Sequence, residues 1–310
     1  MLRIGSRGSA LALWQAHHVR DAIEREHGIR AEIVVIKTSG DRLPDTPIAG
    51  MSVKGVFIKE LEDALIGRRI DLAVHSMKDV PTEIPPGLEI VAITKREDPR
   101  DCLVSRGGAR LEALPAGASV GTTSLRRQAQ LRRMRGDLDV RDVRGNVDTR
   151  LRKVESGEFD AAVLALAGLT RLGWASRATQ IFEPGEMLPA VGQGALGIET
   201  RCDDRETQTL VASLDDAETR AAVTAERALL AELQGGCQVP LGAWGRIENG
   251  ALVLDACVLS ADGAESIREC ARGTIENAES LGRELGEKLL AAGADRLLQL
   301  AGRAMPGHSG

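Results

Sequence analysis

Short apolar runs alternate along this chain with stretches whose apolar residues fall at helical spacing, and that alternation predicts an α/β protein. Leu2-Arg3-Ile4 reads as a strand leading into a helix, and Glu32-Ile33-Val34-Val35-Ile36 as a strand leading into a loop. Ile58, Leu61, Ala64 and Leu65 mark a helix, and Ile70-Asp71-Leu72-Ala73-Val74 a further strand. A second series starts near residue 105. It comprises a strand at Ser119-Val120-Gly121, a helix through Leu125, Ala129 and Leu131, a run over 138–143, a helix near 147–155 and a buried strand at Ala161-Ala162-Val163-Leu164-Ala165.

Polar, proline-punctuated segments, Glu97-Asp98-Pro99-Arg100-Asp101 and Glu183-Pro184-Gly185-Glu186, mark places where the chain crosses between the two units. After the second, Gly194-Ala195-Leu196-Gly197-Ile198-Glu199 reads as a strand returning to the first sheet. From about Asp215 the pattern becomes a long helix over 217–233, a loop at Gly235-Gly236-Cys237, two strands near 242–247 and 252–259, and a helix over 278–290. The expected domains are 1–97 with 194–214, then 98–193, then a smaller α+β domain at 215–310.

Composition narrows the function classes. At 310 residues the chain has room for two or three domains, and its net charge of −5 and 2% aromatic content disfavour a general nucleic-acid binder. No signal-peptide pattern and no membrane-length apolar window is present, so the expectation is a cytoplasmic protein without a membrane. The five cysteines, Cys102, Cys202, Cys237, Cys257 and Cys270, include no C-x-x-C pair, which argues against a disulfide framework and a metal site.

Four loops place small or hydroxyl residues between a strand end and a helix start: Ser6-Arg7-Gly8-Ser9, Thr38-Ser39-Gly40-Asp41, Gly121-Thr122-Thr123-Ser124 and Gly192-Gln193-Gly194. Free backbone N–H groups make such loops anion sites, although Ser9 and Ser124 are equally good helix caps. Arginine shifts the balance: Arg126, Arg127, Arg132, Arg133, Arg135, Arg141, Arg144, Arg150 and Arg152 crowd one stretch of an acidic chain. That suits a small polyanion, while a solvated helix face accounts for Arg132, Arg133 and Arg135.

In His75-Ser76-Met77-Lys78-Asp79-Val80-Pro81 a strand runs into a loop, which puts Lys78 and Asp79 at a strand's carboxyl end, where α/β sheets bind ligands. The plain alternatives are an exposed loop carboxylate for Asp79 and a satisfied sheet-edge histidine for His75. Cys237, between two glycines and Gln238-Val239-Pro240, displays its sulfur on a loop, either as a covalent attachment point or as an incidental thiol.

Taken in order, these segments resemble the hydroxymethylbilane synthase (porphobilinogen deaminase) family over nearly the whole chain. The motifs are Ser6-Arg7-Gly8-Ser9-Ala10-Leu11-Ala12-Leu13-Trp14-Gln15-Ala16, the run from His75 to Pro81, Arg96-Glu97-Asp98-Pro99-Arg100-Asp101, and Gly121-Thr122-Thr123-Ser124-Leu125-Arg126-Arg127-Gln128. Arg144-Gly145-Asn146-Val147, Leu188-Pro189-Ala190-Val191-Gly192-Gln193-Gly194-Ala195, Glu226-Arg227 and Gly235-Gly236-Cys237-Gln238-Val239-Pro240 complete the set.

The resemblance implies two domains like those of type II periplasmic binding proteins with an active cleft between them, plus a smaller C-terminal domain. It implies a transferase that condenses four porphobilinogen molecules head to tail onto a dipyrromethane primer, with loss of ammonia and final hydrolysis to the linear tetrapyrrole. The primer is a cofactor held by a thioether to Cys237. Asp79 matches the catalytic aspartate, and Arg126, Arg127, Lys78, Ser124, Asp79 and Arg150 match cofactor-binding positions. Arg7, Ser9, Gln15, Lys54, Phe57, Thr122, Thr123, Arg144, Arg150 and Arg171 are the matching contacts for substrate and growing pyrrole chain. A monomer is implied. One departure stands in the loop 45–55, where Gly50, Ser52 and Val53 replace the lysine and glycines of many members. The rival reading is a non-enzymatic two-lobed polyanion-binding protein, against which Cys237 and the third domain count.

Overall fold

The structure is a computed structural model that describes residues 1–37, 58–233 and 239–303. The loops at 38–41 and 45–55, with Lys54 and Phe57, and the loop carrying Cys237 lie outside the described residues.

Strand β1 (Leu2–Ser6) leads into helix α1 (Ala10–His27), followed by β2 (Ala31–Val35), α2 (Lys59–Ile66), β3 (Leu72–Ser76) and β4 (Leu88–Ile93). The second series is β5 (Asp101–Ser105), β6 (Ser119–Gly121), α3 (Leu125–Met134), β7 (Asp139–Arg141), α4 (Val147–Glu155), β8 (Ala161–Ala165), α5 (Leu166–Arg171) and β9 (Gln180–Ile181). Then come β10 (Leu196–Arg201), α6 (Arg205–Ala212) and α7 (Ala217–Glu232). The chain closes with β11 (Leu241–Glu248), β12 (Ala251–Leu259), β13 (Ser266–Gly273), α8 (Ala278–Ala291) and α9 (Ala294–Arg303).

Two compact units result: Met1–Glu97 with Gly194–Arg220, and Asp98–Gln193 with Ala221–Gly310. In the first, the strand order is β2-β1-β3-β10-β4, with β1 parallel to β2 and β3, and β10 antiparallel to β3 and β4. The period of two in each strand sorts its side chains. Leu2, Ile4, Leu72, Val74 and Ile198 meet Ala16, Val19 and Ile23 of α1 on one face, while Ala73 meets Leu61, Ala64 and Leu65 of α2 on the other. Both faces are covered, which is why these strands read as continuous apolar runs. A Cβ at Gly5 would lie 2.3 Å from Ile70 Cδ1, so a larger residue there would push the Ile70 side chain aside.

The second unit holds a sheet of order β7-β6-β8-β5-β9, the same arrangement place for place, with β6 parallel to β7 and β8, and β5 antiparallel to β8. In each sheet the antiparallel strand in fourth place is the one entered just after the chain passes between units, β10 in the first and β5 in the second. This is the type II periplasmic-binding-protein arrangement twice over, as expected. The unit also carries an antiparallel meander, β11-β12-β13, whose inner residues Leu252, Leu254 and Val258 pack with Leu229 of α7, Leu285 and Leu289 of α8 and Leu297 of α9.

Three readings change. The segment at Glu183 is a turn inside the second unit, closed by Met187 N–H to Glu183 O, and the chain passes back at Gln193 and Gly194 instead. Gly194 holds φ +91° there, and a Cβ would meet Glu97 O at 2.4 Å. His75 lies on an interior strand, since β3 is bonded on both sides. Helix α9 extends the closing helical region past Gly293, whose φ of 94° breaks what would be one long helix.

Candidate active site

In the first unit, β1 and β3 are paired neighbours, so the segments after their carboxyl ends fall side by side. One is the turn of Arg7, closed by Ser9, whose hydroxyl caps α1 by accepting from Ala12 N–H at 3.3 Å. The other is the single 3₁₀ turn Met77–Asp79, after which Pro81 keeps Val80 extended (φ −78°, ψ 123°). Arg7, Gln15, His75, Ser76 and Asp79 line one pocket there, walled by Ala12, Ile58, Leu61 and Val74. Buried Gln15 donates from Nε2 to Ser76 Oγ at 3.0 Å, Lys78 is half-buried, and Asp79 is exposed.

Beneath the pocket, His75 Nε2 donates to Glu199 Oε2 of β10 at 2.9 Å, with side-chain exposures of only 3% and 1%. The other oxygen, Glu199 Oε1, is buried without a hydrogen-bond partner among the described residues. Glu62 of α2 is close enough to feel both groups: burial, then the charge of Glu199, raises its pKa, and His75 opposes the rise.

In the second unit, Ser124 caps α3 by accepting from Arg127 N–H at 3.4 Å. Thr122 is wholly buried and its hydroxyl oxygen accepts from Ser124 N–H at 3.2 Å, whereas Thr123 is exposed. Arg126 and Arg127 are both buried and converge on Asp101 at the start of β5. Arg126 NH1 donates to Asp101 Oδ2 at 2.6 Å, and Arg127 donates to Oδ1 from Nε at 3.0 Å and NH2 at 2.7 Å. Gln193 Nε2 adds a bond to Oδ1 at 2.9 Å and another to Pro99 O at 2.6 Å. Burial alone would raise the Asp101 pKa, but the charges and hydrogen bonds of the two guanidiniums outweigh it and hold the carboxyl well below the usual range.

The pair therefore carries a net charge of about +1 rather than +2, because the protein supplies one counter-charge of its own. Arg127 is heavily committed, with NH1 also donating to Val163 O at 3.1 Å. Arg126 NH1 donates to Leu188 O at 2.5 Å, while its Nε is buried without a hydrogen-bond partner among the described residues. The role of Asp101 was not assigned from sequence, and the available signal was an acid opening the apolar run Cys102-Leu103-Val104.

The remaining arginines divide. Arg171 is buried at the end of α5, Arg150 is half-buried and donates from Nε to Gly145 O at 2.9 Å, and Arg144 is exposed. Arg135 corrects the expectation of a solvated helix face: it donates to the carbonyls of Leu111, Glu112 and Leu114 and pairs with Asp137. The loop Gly192-Gln193-Gly194 does hold a carboxylate, but an internal one. Gly192 N–H donates to Glu226 Oε2 at 2.6 Å, and Gly245 N–H to Oε1 at 2.7 Å.

Burial pushes the Cys102 thiol up to about 12, with Asp101 adding to the effect, and burial also raises Cys257; Cys202 and Cys270 are exposed. Among the described residues no group of three or more His, Cys, Asp and Glu is placed to hold a metal, and no helix is long and apolar enough to cross a membrane.

Two type II sheets, one with an acid and an arginine at its strand ends and the other with an arginine pair on a buried aspartate, define an α/β protein that handles a small polyanion. Residues 2–209 match the family described as "Porphobilinogen deaminase, dipyromethane cofactor binding domain", and residues 220–291 match "Porphobilinogen deaminase, C-terminal domain". A porphobilinogen deaminase of Syntrophobacter fumaroxidans (strain DSM 10017 / MPOB) is 51% identical over 305 residues, covering 98% of this chain and 99% of that protein. The chain belongs to the porphobilinogen deaminase family. It is a transferase that condenses four porphobilinogen molecules onto a dipyrromethane primer and releases hydroxymethylbilane.

Among solved structures, the methionine-binding protein MetQ is 14% identical with a TM-score of 0.45, covering 69% of this chain and 89% of that one. A periplasmic substrate-binding protein of an ABC transporter from Coxiella burnetii is 16% identical with a TM-score of 0.44, covering 69% and 92%. The strand order, rather than these distant likenesses, defines the fold.

Proposed function

We propose that Asp79 is the catalytic group of this transferase. The observation that carries the reading is the position of Asp79 at the carboxyl end of β3, lining one pocket with Arg7 and Gln15. Departure of ammonia from porphobilinogen leaves positive charge on a pyrrole, and a fixed carboxylate stabilises that charge while accepting from the ring N–H. Arg7 supplies the complementary partner for an acetate or propionate.

The dipyrromethane supplies a pyrrole carbon on which the chain grows. The residues present fit such a group: Arg126 has a buried Nε without a hydrogen-bond partner among the described residues, so the pair retains a donor after Asp101 is satisfied. Arg126, Arg127, Lys78, Ser124, Asp79 and Arg150 would hold it, with Cys237 as the thioether anchor. Ser9, Gln15, Thr122, Thr123, Arg144, Arg150 and Arg171, together with Lys54 and Phe57, are assigned to the substrate and growing chain. Within the Thr122–Thr123 pair the exposed Thr123 side chain is the better ligand contact, since the Thr122 hydroxyl already serves Ser124 N–H.

The domain plan 1–97 with 194–214, 98–193 and 215–310, a cytoplasmic location and a monomeric state complete the reading. It is tested by the intact mass of protein folded with porphobilinogen. The expected result is a covalent increment of two pyrrole units on Cys237 that is lost in Cys237→Ala. An increment on Cys202 or Cys270, or one that survives in Cys237→Ala, overturns the attachment.

A further inference from the structure

Each condensation breaks two bonds. The C–N bond of porphobilinogen releases ammonia, and after the new C–C bond forms, the attacked pyrrole must lose the hydrogen on its α-carbon to recover its aromatic ring. The second event needs a base, and Asp79, already assigned to the cationic charge, is poorly placed to give up its own.

The pocket holds one group that the mechanism so far leaves unused. His75 lines it beside Asp79, yet its ring is anchored from behind, with Nε2 donating to the buried Glu199 at 2.9 Å. The register explains the anchoring: His75 pairs with Gly197 and Ala73 with Glu199, so the two side chains lie diagonally on the same face of neighbouring strands. With Nε2 engaged, Nδ1 is the nitrogen left for a ligand. Glu199 is an unusual residue to bury merely to satisfy a histidine, because its second oxygen has no hydrogen-bond partner among the described residues and Glu62 lies near it. A neutral imidazole needs one acceptor, which a backbone carbonyl would provide without cost. A carboxylate with spare negative charge suits an imidazolium.

We propose that His75, oriented by Glu199, is the base that takes the α-carbon proton in each condensation. The Cα–H bond breaks, its electron pair returns to the pyrrole ring, and the proton goes to His75 Nδ1, where the Glu199 carboxylate stabilises the resulting imidazolium. The proton then passes to the ammonia released earlier in the cycle, so each cycle yields one ammonium ion and restores neutral His75. Arg7 and Asp79 are the charged groups lining the pocket, and Glu62 and Glu199 are those that act on the ring from the other side. The proposal rests on the reading of the Asp79 pocket as the reacting site.

The test uses holoenzyme whose dipyrromethane content is verified by mass, with His75→Asn and Glu199→Gln as separate variants. Both should retain the cofactor. His75→Asn should lower kcat by at least about 10²-fold, the usual scale for a positioned base, and leave KM within a few-fold. Porphobilinogen deuterated at its free α-carbon should be turned over by His75→Asn at least about twofold more slowly than the protiated substrate, because proton removal becomes rate-limiting. Glu199→Gln, which keeps the imidazole, should show a smaller fall in kcat with the same isotope sensitivity. A structural role would slow both variants without an isotope effect. Parental turnover in His75→Asn, or a slow variant indifferent to deuterium, overturns the proposal. Asp79→Asn distinguishes the underlying reading: crippled Asp79→Asn beside normal His75→Asn sinks the base assignment alone, while normal Asp79→Asn sinks the pocket reading and the proposal with it.

Discussion

Asp79 owes its candidacy to a backbone decision. The interior strand β3 delivers it to a carboxyl end, a single 3₁₀ turn holds it at the pocket, and Pro81 prevents the turn from growing into a helix. Its proposed work, meeting positive charge that develops as ammonia leaves, belongs mainly to the transition state, so binding should survive its loss better than turnover. Asp79→Asn keeps the shape and removes the charge, and kcat should fall by at least ~10²-fold with the cofactor retained. Asp79→Glu keeps the charge one methylene away and should remain the more active of the two. Steady-state rates of the two purified holoenzymes decide it, and an Asn variant equal to the parent or faster than the Glu variant would rule out charge stabilisation.

At the scale of elements, Asp101 joins the start of β5 to the first turn of α3 and to the segment of Gln193. Its folded-state pKa is depressed below the unfolded value of about 3.9, so its stabilising contribution is complete above that pH and is lost as pH falls through the folded value. Asp101→Asn leaves two buried guanidiniums with a neutral partner and should cost about 3–5 kcal/mol at neutral pH. It should also flatten the acid dependence of stability below about pH 4. Denaturant midpoints at neutral and acid pH measure both effects. Equal losses of stability in parent and variant between the two conditions would sink the assignment. The arginine stretch was legible in sequence as a charge concentration, but its division was not. Arg135 braces carbonyls, Arg127 is largely spent on the fold, and Arg126 keeps a donor with no partner among the described residues, because partners arrive from residues 101, 111–114, 163 and 188, far off in the chain.

Over the whole molecule, the five thiols should separate by burial. Cys102 and Cys257 are buried in strands with raised pKa values, so neither should react with iodoacetamide in native protein at about pH 8, while exposed Cys202 and Cys270 should, slowly, as their own pKa values are also raised. Holoprotein should therefore take two labels. Cofactor-free protein should take a third at Cys237, and Cys237→Ala should take two whatever its history. Peptide mass mapping reads the sites, and a label on native Cys102, or an unchanged count on removing the cofactor, contradicts this account.

The sequence alone determined the elements whose signal is local. Apolar runs gave the buried strands β1, β3 and β8, because strands covered on both faces have no polar alternation, and the ordered motifs gave the family. It also placed Asp79 at a strand end, since Pro81 lies two residues away. Tertiary structure decided what depends on residues distant in the chain. The long strand β13, exposed at alternate positions, has no fully buried residue to mark it and is held by pairing with β12 and packing on α8, while the amphipathic helix α9 beyond Gly293 is placed by its packing on β12 and α8. The passage between units at Gly194, the pairing of Arg126 and Arg127 with Asp101, and the seating of His75 on Glu199 join residues between 25 and 124 positions apart. Such contacts form only when strand order brings the segments together, and no local pattern of hydrophobic and polar positions encodes which buried charge will meet which.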